Sequence, residues 1–295
     1  MEKETWKEVS KDPRQWHEYC NPGWENRFCR LKNGIKISYC VMGPENGLPI
    51  FLCHGNTDCR ISWSHVAPIL AHVGFRVYVP EQRGHGLSEG PVVEKGYYDF
   101  KEDLMEDVVE LMDHLGVEKA SFVGHSGGSF MLQMLGIYHP ERVKSLTLIS
   151  TACEFPYRRD YEYQGEDLVG DKDFLLMLAE AGLDDKEFQA GIAKHLVENM
   201  TNHIMAYVRT EFSHPQNFDT SELLAKVTCP VQIFWGTADP LFDAETEKKT
   251  LAALKNAPVD FIPVEGGGHS FFWDSWENIQ MLANSIADFA RKANK

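Results

Sequence analysis

The pentapeptide Gly124-His125-Ser126-Gly127-Gly128 carries the sharpest chemical signal in the chain. It fits the pattern G-x-S-x-G and joins a predicted buried strand, KASFVGHS, to a predicted helix, GGSFMLQMLGIYH. Because a strand that turns abruptly into a helix crowds the backbone, glycines are needed at 124 and 128. Such a turn would raise the Ser126 hydroxyl above the sheet as a nucleophile. The first N–H groups of the helix, that of Gly127 among them, would face the developing negative charge.

A serine hydroxyl is a weak nucleophile, so it needs a histidine base that is oriented by an acid. In sites of this kind the chain order is serine, acid, histidine. Asp239, in WGTADP, follows one predicted strand, and His269, in EGGGHS, follows the last one. Both positions fall at the carboxyl ends of strands, where open α/β sheets place their sites. The alternative acid is Glu154, which follows the strand after Ser126.

The tripeptide His54-Gly55-Asn56 follows the short apolar run PIFLC. A glycine at 55 lets the chain turn sharply, so that the N–H of Asn56 can face the nucleophile. Together with the N–H of Gly127 it would form an oxyanion hole. The Asn56 side chain could add a third donor. His54 and His125 are expected to play structural roles by bonding nearby loops.

A glycine-containing loop, PEQRGHGLS, follows the predicted strand FRVYV. It is interpreted as a brace for the site, with Arg83 in a structural role.

Strands alternate along the chain with helices of ten or more residues, which predicts an α/β fold with a mostly parallel central sheet flanked by helices. The segment ENRFCRL, Asn33-Gly34 and IKISYCVM predicts a β-hairpin, because Asn-Gly is the preferred pair for a tight turn. This hairpin would add antiparallel strands at one edge of the sheet. Asp99 followed by Glu102 resembles a capping box that begins a helix.

The chain divides into an N-terminal extension at 1–24, a core at 25–154 and 221–295, and a helical insertion at 155–220. The insertion precedes the strand that carries Asp239, and it is interpreted as a cap over the site. The extension contains Trp6, Trp16 and Trp24, which could dock on the chain's own body, on a partner subunit in a homodimer, or on the rim of a pocket.

Composition restricts the partners and the compartment. The chain has 295 residues, 43% of them hydrophobic, and a formal net charge of −15. Such a surface should repel nucleic acid and anionic membranes, so the expected partner is a small-molecule substrate. The sequence has no run typical of a membrane span or a secretory signal, and its seven cysteines match no metal-binding spacing. A cytoplasmic protein with free thiols is expected, with no metal and no organic cofactor.

The motifs HGN, QRGHGLS, GHSGG, GTADP and GGGHSFF stand in the order found in the α/β-hydrolase superfamily, which the chain resembles over roughly residues 25–295. The resemblance is to the capped branch with a serine nucleophile. One departure is Glu81, where the family usually has Asp. The HGN motif and Trp63 also resemble haloalkane dehalogenases. Those enzymes and the related epoxide hydrolases use an aspartate nucleophile, whereas Ser126 stands at that position here.

The resemblance implies acyl transfer through Ser126, with a carboxylic ester or lactone of a small, fairly apolar molecule as the first-choice substrate. Aromatic and methionine side chains in the insertion suit such a pocket. The alternatives on the same three residues are an aminopeptidase-like amidase and a C–C hydrolase. An alternative of another class is a small-molecule receptor with little turnover, since one fold hosts many functions.

Overall fold

The structure is a computed structural model that describes residues 25–55, 58–90, 98–155 and 218–295. The predicted N-terminal extension, Asn56 and nearly all of the predicted cap lie outside the described residues.

Eight of the described strands form one sheet, in the order β1-β2-β4-β3-β5-β6-β9-β10, and β7 pairs with β8 apart from it. The strands are β1 (Glu25–Arg30), β2 (Lys36–Met42), β3 (Leu48–Cys53), β4 (Phe75–Pro80), β5 (Ala120–His125), β6 (Val143–Ile149), β7 (Glu154–Phe155), β8 (Phe218–Asp219), β9 (Val231–Gly236) and β10 (Val259–Val264). Strands β3 to β6, β9 and β10 pair in parallel, which confirms the predicted fold class.

The opening hairpin is antiparallel, and β2 continues antiparallel to β4. Its turn has Gly34 at φ 88°, a conformation that glycine adopts without steric cost. The N–H of Gly34 bonds the carbonyl of Leu31 at 2.9 Å, and the N–H of Leu31 bonds the carbonyl of Ile35 at 2.8 Å. The predicted hairpin is therefore confirmed, but its turn is not the type I′ turn that the Asn-Gly pair predicts, because Asn33 lacks the positive φ that such a turn needs at both central residues.

Two apolar cores lie on the two faces of the sheet. The helices that cover the faces are α1 (Val66–His72), α2 (Glu106–Leu115), α3 (Gly127–Tyr138), α4 (Ala244–Ala253) and α5 (Trp276–Ala293). Helices α1 and α5 bury their apolar faces in one core, and α2 and α3 bury theirs in the other. Central strands covered on both faces are apolar almost throughout, as β3 is in this chain, and every residue of β5 is buried.

Among the described residues, no helix combines the length and apolar character that a membrane span needs.

The predicted capping box before α2 is half right. Asp99 accepts the N–H groups of Lys101 and Glu102 at 2.8 and 2.9 Å, as a cap should. The reciprocal bond to the N–H of Asp99 comes from Asp103 at 2.7 Å, not from Glu102. The first turn, Phe100–Met105, is a π-helix, and this wider turn carries the partner one residue further along the chain.

The stem of the predicted insertion is a short antiparallel pair in which Phe155 faces Phe218 and Glu154 faces Asp219. The chain therefore leaves the described core at 155 and re-enters it at 218 on neighbouring strands. The ring of Phe130, on α3, lies 4.6 Å from that of Phe218 and 6.1 Å from that of Phe155. The boundaries of the insertion stay a prediction.

Candidate active site

The predicted nucleophile stands on a strained turn between β5 and α3. Ser126 has φ 48° and ψ −121°, a backbone conformation that non-glycine residues rarely adopt. Its N–H donates to the carbonyl of Ile149 at 2.9 Å, so the turn is tied to the neighbouring strand β6. Strain of this kind costs about 1–3 kcal/mol and persists where the surrounding structure enforces it.

The glycines on either side of the turn are required by space. A Cβ at Gly124 would lie 2.7 Å from the carbonyl oxygen of Gly128, and a Cβ at Gly128 would lie 2.4 Å from that of His54. No side chain fits at either position without moving the backbone. The steric reason given for these glycines from the sequence is the one found in the structure.

The predicted acid and base lie together at the carboxyl end of the sheet. His269 Nδ1 lies 2.9 Å from Asp239 Oδ2, although the residues come from separate loops after β9 and β10. The other carboxylate oxygen of Asp239 accepts the N–H groups of Leu241 at 2.8 Å and Phe242 at 3.3 Å. Burial raises the pKa of Asp239, but the bond and charge of His269 and the two N–H donors outweigh it, so the pKa lies below its ordinary value. The carboxylate stays ionised and orients the imidazole.

The alternative acid, Glu154, has a different partner. Its carboxylate pairs with Lys249 Nζ at 2.5 Å on the protein surface. The Nδ1 position of His269 is occupied by Asp239. Of the two acids that the sequence left open, the structure brings Asp239 to the histidine.

His54 and Gly55 follow β3 directly beside the turn that carries Ser126. His54 Nδ1 donates to the carbonyl of Gly55 at 2.8 Å, and its Nε2 accepts the N–H of Gln82 at 3.0 Å. Burial lowers the pKa of His54 to about 4, so the ring is neutral and braces the turn, in the structural role expected for it. Gly55 lies against His125 and Ser126.

One half of the predicted oxyanion hole is described. Gly127 begins α3, so its N–H belongs to the first helical turn, where N–H groups have no acceptor within the helix. Gly127 follows the predicted nucleophile directly, which is the position that the predicted oxyanion hole requires. Asn56 lies outside the described residues, and its role stays a prediction.

Arg83 is a buried structural cation. Its guanidinium donates to both carboxylate oxygens of Asp107, at 2.6 and 2.5 Å, and to Asp103 at 2.9 Å. The unusual Glu81 folds back on its own loop and accepts the N–H of Leu87 at 2.9 Å. A Cβ at Gly86 would collide with that carboxylate, so the longer acid is accommodated by a glycine in the loop.

A sequence profile described as the alpha/beta hydrolase fold matches residues 49–275, which is more than three quarters of the chain. This chain belongs to the α/β-hydrolase fold family.

Relatives of this α/β hydrolase include Bifunctional epoxide hydrolase 2 of Sus scrofa, 30% identical over 152 residues, or 51% of this chain and 27% of the relative. The chain spans about a quarter of the length of the mammalian relatives that it matches. Epoxide hydrolase A of Mycobacterium tuberculosis is 24% identical over 294 residues, which cover 80% of this chain and 89% of the relative. A thermophilic esterase from Thermogutta terrifontis superposes with a TM-score of 0.77 at 20% identity, covering 92% of this chain and 100% of the other. That likeness shows the fold.

Two residues of this α/β hydrolase site carried no signal in the sequence. Ser150, at the end of β6, has φ 49° and donates its hydroxyl to the carbonyl of His269 at 2.7 Å. Glu247, on α4, is 1% exposed, and neither of its carboxylate oxygens has a hydrogen-bond partner among the described residues. The run AETEKK around Glu247 reads as a solvated helix face, and a serine after a strand has no pattern of its own.

The described part of this α/β hydrolase contains no cluster of three or more His, Cys, Asp or Glu side chains that could hold a metal ion.

Trp63, which suggested a likeness to dehalogenases, is fully buried and stacks on Phe272 with ring centroids 5.6 Å apart.

Proposed function

We propose that this protein is a serine hydrolase that cleaves a carboxylic ester or lactone of a small, fairly apolar molecule through an acyl-enzyme. The observation that carries the proposal is the hydrogen-bonded pair of Asp239 and His269. This pair lies at the carboxyl end of the parallel strands, where Ser126 also stands on its strained turn. An ionised acid, an oriented imidazole and a half-buried serine at the end of a parallel strand form the arrangement that acyl transfer requires.

The geometry supports a two-step reaction. With Nδ1–H held by Asp239, His269 keeps its lone pair on Nε2, where it can take the proton from the Ser126 hydroxyl. The serine oxygen adds to the substrate carbonyl, and the resulting oxyanion is stabilised by the N–H of Gly127. Collapse expels the alcohol, which receives the proton from His269. Water, deprotonated by the same imidazole, then releases the acid and restores Ser126.

Epoxide hydrolysis, the activity named in the two relatives described above, does not fit a serine nucleophile. Attack on an epoxide carbon by the Ser126 oxygen would open the ring and leave an alkyl ether on the enzyme. An ether has no carbonyl for water to attack, so the enzyme would stop after one event. A carboxylate nucleophile forms an ester instead, which water can hydrolyse. We therefore favour substrates that already contain a carbonyl.

The aromatic surroundings of the site favour an apolar substrate. The ring of Phe242, which follows Asp239, lies 5.4 Å from the ring of His269. It belongs to a cluster that extends across α3 to the stem of the insertion. The members of the cluster are Phe100, Phe130, Phe155, Phe218 and Phe242. Apolar walls with a few convergent polar groups are typical of small-molecule sites.

The deciding experiment is labelling with a fluorophosphonate, followed by mapping of the modified residue and by turnover of p-nitrophenyl esters of increasing acyl length. We expect the label on Ser126, and we expect Ser126→Ala to lose both labelling and turnover while keeping the circular dichroism of the wild type. Ser221→Ala is the matched control and should behave as the wild type, because Ser221 is a half-buried serine far along the chain whose hydroxyl donates to Asp219. Label on another residue, or full turnover by Ser126→Ala, would overturn the proposal.

The other candidate functions make different predictions in the same assay. An amidase would release p-nitroaniline from aminoacyl anilides faster than it hydrolyses esters of matched length. A receptor would bind its ligand and react only slowly with the fluorophosphonate, and it would release no product at steady state. Efficient ester turnover by the wild type would exclude the receptor.

A further inference from the structure

The carbonyl oxygen of His269 is held by two side chains from two other strands. His125 Nε2 lies 3.0 Å from it and Ser150 Oγ lies 2.7 Å from it. Both side chains are buried, with 4% and 0% of their residues exposed. A carbonyl oxygen has two lone pairs, so these two donors saturate it. The backbone of the base is thereby fixed at one point from two directions.

The segment that carries His269 has little rigidity of its own. Gly266, Gly267 and Gly268 precede it, and Gly266 lies at φ 70°. Glycines lose more conformational freedom on folding than other residues, so this segment needs contacts from outside to hold one position. The bond to Asp239 orients the imidazole, and the bonds to the carbonyl hold the backbone from which the imidazole extends.

His125 makes a direct tie between nucleophile and base, because it is the residue before Ser126. To donate to a carbonyl its ring must carry the proton on Nε2, which leaves Nδ1 as a bare lone pair. Burial and, second, the charge of His269 lower the pKa of His125 to about 3, so the ring stays neutral when the base gains a proton. The centroid of its ring lies 5.1 Å from that of His269 and 5.0 Å from that of Phe272, which it meets edge-on, so the His125 ring is packed against both.

The hydroxyl of Ser150 is held in position by a strained backbone conformation of the same residue. It lies at φ 49°, and its N–H donates to the carbonyl of Phe234 on β9 at 3.0 Å. Backbone strain in a non-glycine residue persists only where neighbours enforce it, and it concentrates at functional sites. Ser126 and Ser150 follow adjacent parallel strands and are the two non-glycine residues with positive φ among those the structure describes.

We infer that His125 and Ser150 are positioning residues, which hold the backbone of His269 in one place relative to the turn that carries Ser126. The inference rests on the proposed function for its effect on turnover, but not for the geometry. A shift of about 1 Å between reacting groups can cost on the order of 100-fold in rate. The two residues act on one atom, so removing both should cost less than the product of the two single losses.

The test compares Ser150→Ala, Ser150→Gly and His125→Phe with the wild type on p-nitrophenyl acetate. Each variant should keep its KM within about twofold and lose roughly 10- to 100-fold in kcat. Ser150→Gly also relieves the strain, so full activity in that variant would show that the hydroxyl is not needed and would overturn the inference. Ser145→Ala is the matched control. Ser145 is buried on the same strand, its hydroxyl donates to Ser121 at 3.0 Å, and its loss should leave kcat unchanged.

A second readout does not depend on turnover. The proton between His269 Nδ1 and Asp239 should give a downfield line in the proton NMR spectrum of the wild type. It should broaden through faster exchange in the Ser150 and His125 variants and stay sharp in Ser145→Ala. Variants with a wild-type line and wild-type kcat would overturn the inference. A wild type that hydrolyses no ester would instead contradict the proposed function, and the line would still decide whether the two residues position the base.

Discussion

Gly55 lies directly across the nucleophile: a Cβ at Gly55 would lie 3.2 Å from the Cβ of Ser126 and 3.1 Å from His125 Nδ1. Contacts this short are tighter than nearly all real Cβ contacts, so a side chain at 55 would force Ser126, His125 or the turn to move by a few tenths of an ångström. This relationship connects the HGN motif to the turn between β5 and α3 that carries Ser126, and it makes the size of residue 55 a direct test of the site.

Gly55→Ala is expected to lower kcat by roughly 10- to 100-fold, because the added methyl group would push the turn away from Ser126. The free energy of unfolding should fall by about 1–3 kcal/mol, the usual cost of overpacking. Steady-state kinetics and urea unfolding measure the two effects. Gly136→Ala is the control, since its Cβ would lie 2.9 Å from a methyl of Leu146 at the far end of α3. It should lose stability without a matching loss of kcat. Equal losses of kcat in both variants would contradict this account.

Asp239→Asn should reduce kcat by about 10³–10⁴-fold, because an amide favours the wrong tautomer of His269 and cannot stabilise the imidazolium. Glu154→Gln removes the other acid considered from the sequence. It breaks one surface ion pair with Lys249, and exposed pairs contribute only about 0–1 kcal/mol, so kcat should stay within about twofold. A crippled Glu154 variant beside an active Asp239 variant would show that the acid is misassigned.

Glu247 should make the protein less stable as the pH rises. Burial, and second the charge of Asp239, raise the pKa of Glu247 from 4.5 to about 8. Between those two values the unfolded chain releases a proton that the folded protein retains. Stability therefore falls as the pH rises through that window, and the full cost is present above pH 8. Each pKa unit corresponds to about 1.4 kcal/mol, so the effect is on the order of a few kcal/mol.

The variant Glu247→Gln keeps the shape and removes the titration. The difference in Tm between this variant and the wild type should grow in favour of the variant by several degrees from pH 5 to pH 8.5. The slope is the measured quantity, because a buried amide carries its own constant cost. Glu245→Gln, at an exposed glutamate of the same helix, should show no such slope. A flat difference for Glu247→Gln would mean that the carboxyl is already paired or hydrated.

Arg83→Met should cost about 3–5 kcal/mol of unfolding free energy, because it leaves the buried carboxylate of Asp107 without its cation. The matched control is Lys32→Met, which breaks an exposed pair with Asp113 at 3.2 Å and should cost no more than about 1 kcal/mol. Urea unfolding at pH 7 measures both. If the Arg83 variant that remains folded keeps its kcat, the residue is structural; a loss of kcat without a loss of stability would place it in the catalytic machinery.

Local patterns in the sequence were sufficient for the features that depend on neighbours along the chain. The Asn33-Gly34 hairpin, the glycines that flank Ser126 and the alternation of strands with helices each follow from turn chemistry or from the period of apolar residues. The chain order of Ser126, Asp239 and His269 identified the candidate triad because carboxyl ends of parallel strands meet at one edge of a sheet. The predicted capping box was wrong in one residue, Glu102, because the first helical turn is a π-helix, and residue types alone do not reveal this.

The tertiary structure decided what depends on contacts between distant segments. The choice of Asp239 over Glu154 required the distance to His269 Nδ1 and the surface pair with Lys249. Ser150 became part of the site only because β6 ends beside the loop after β10, so that its hydroxyl reaches a backbone carbonyl 119 positions away. The sequence shows the same residue type for a serine or a glutamate on the surface and for one in the core. Its chemistry is set by the neighbours and the solvent that folding gives or removes, and these are properties of the packed chain.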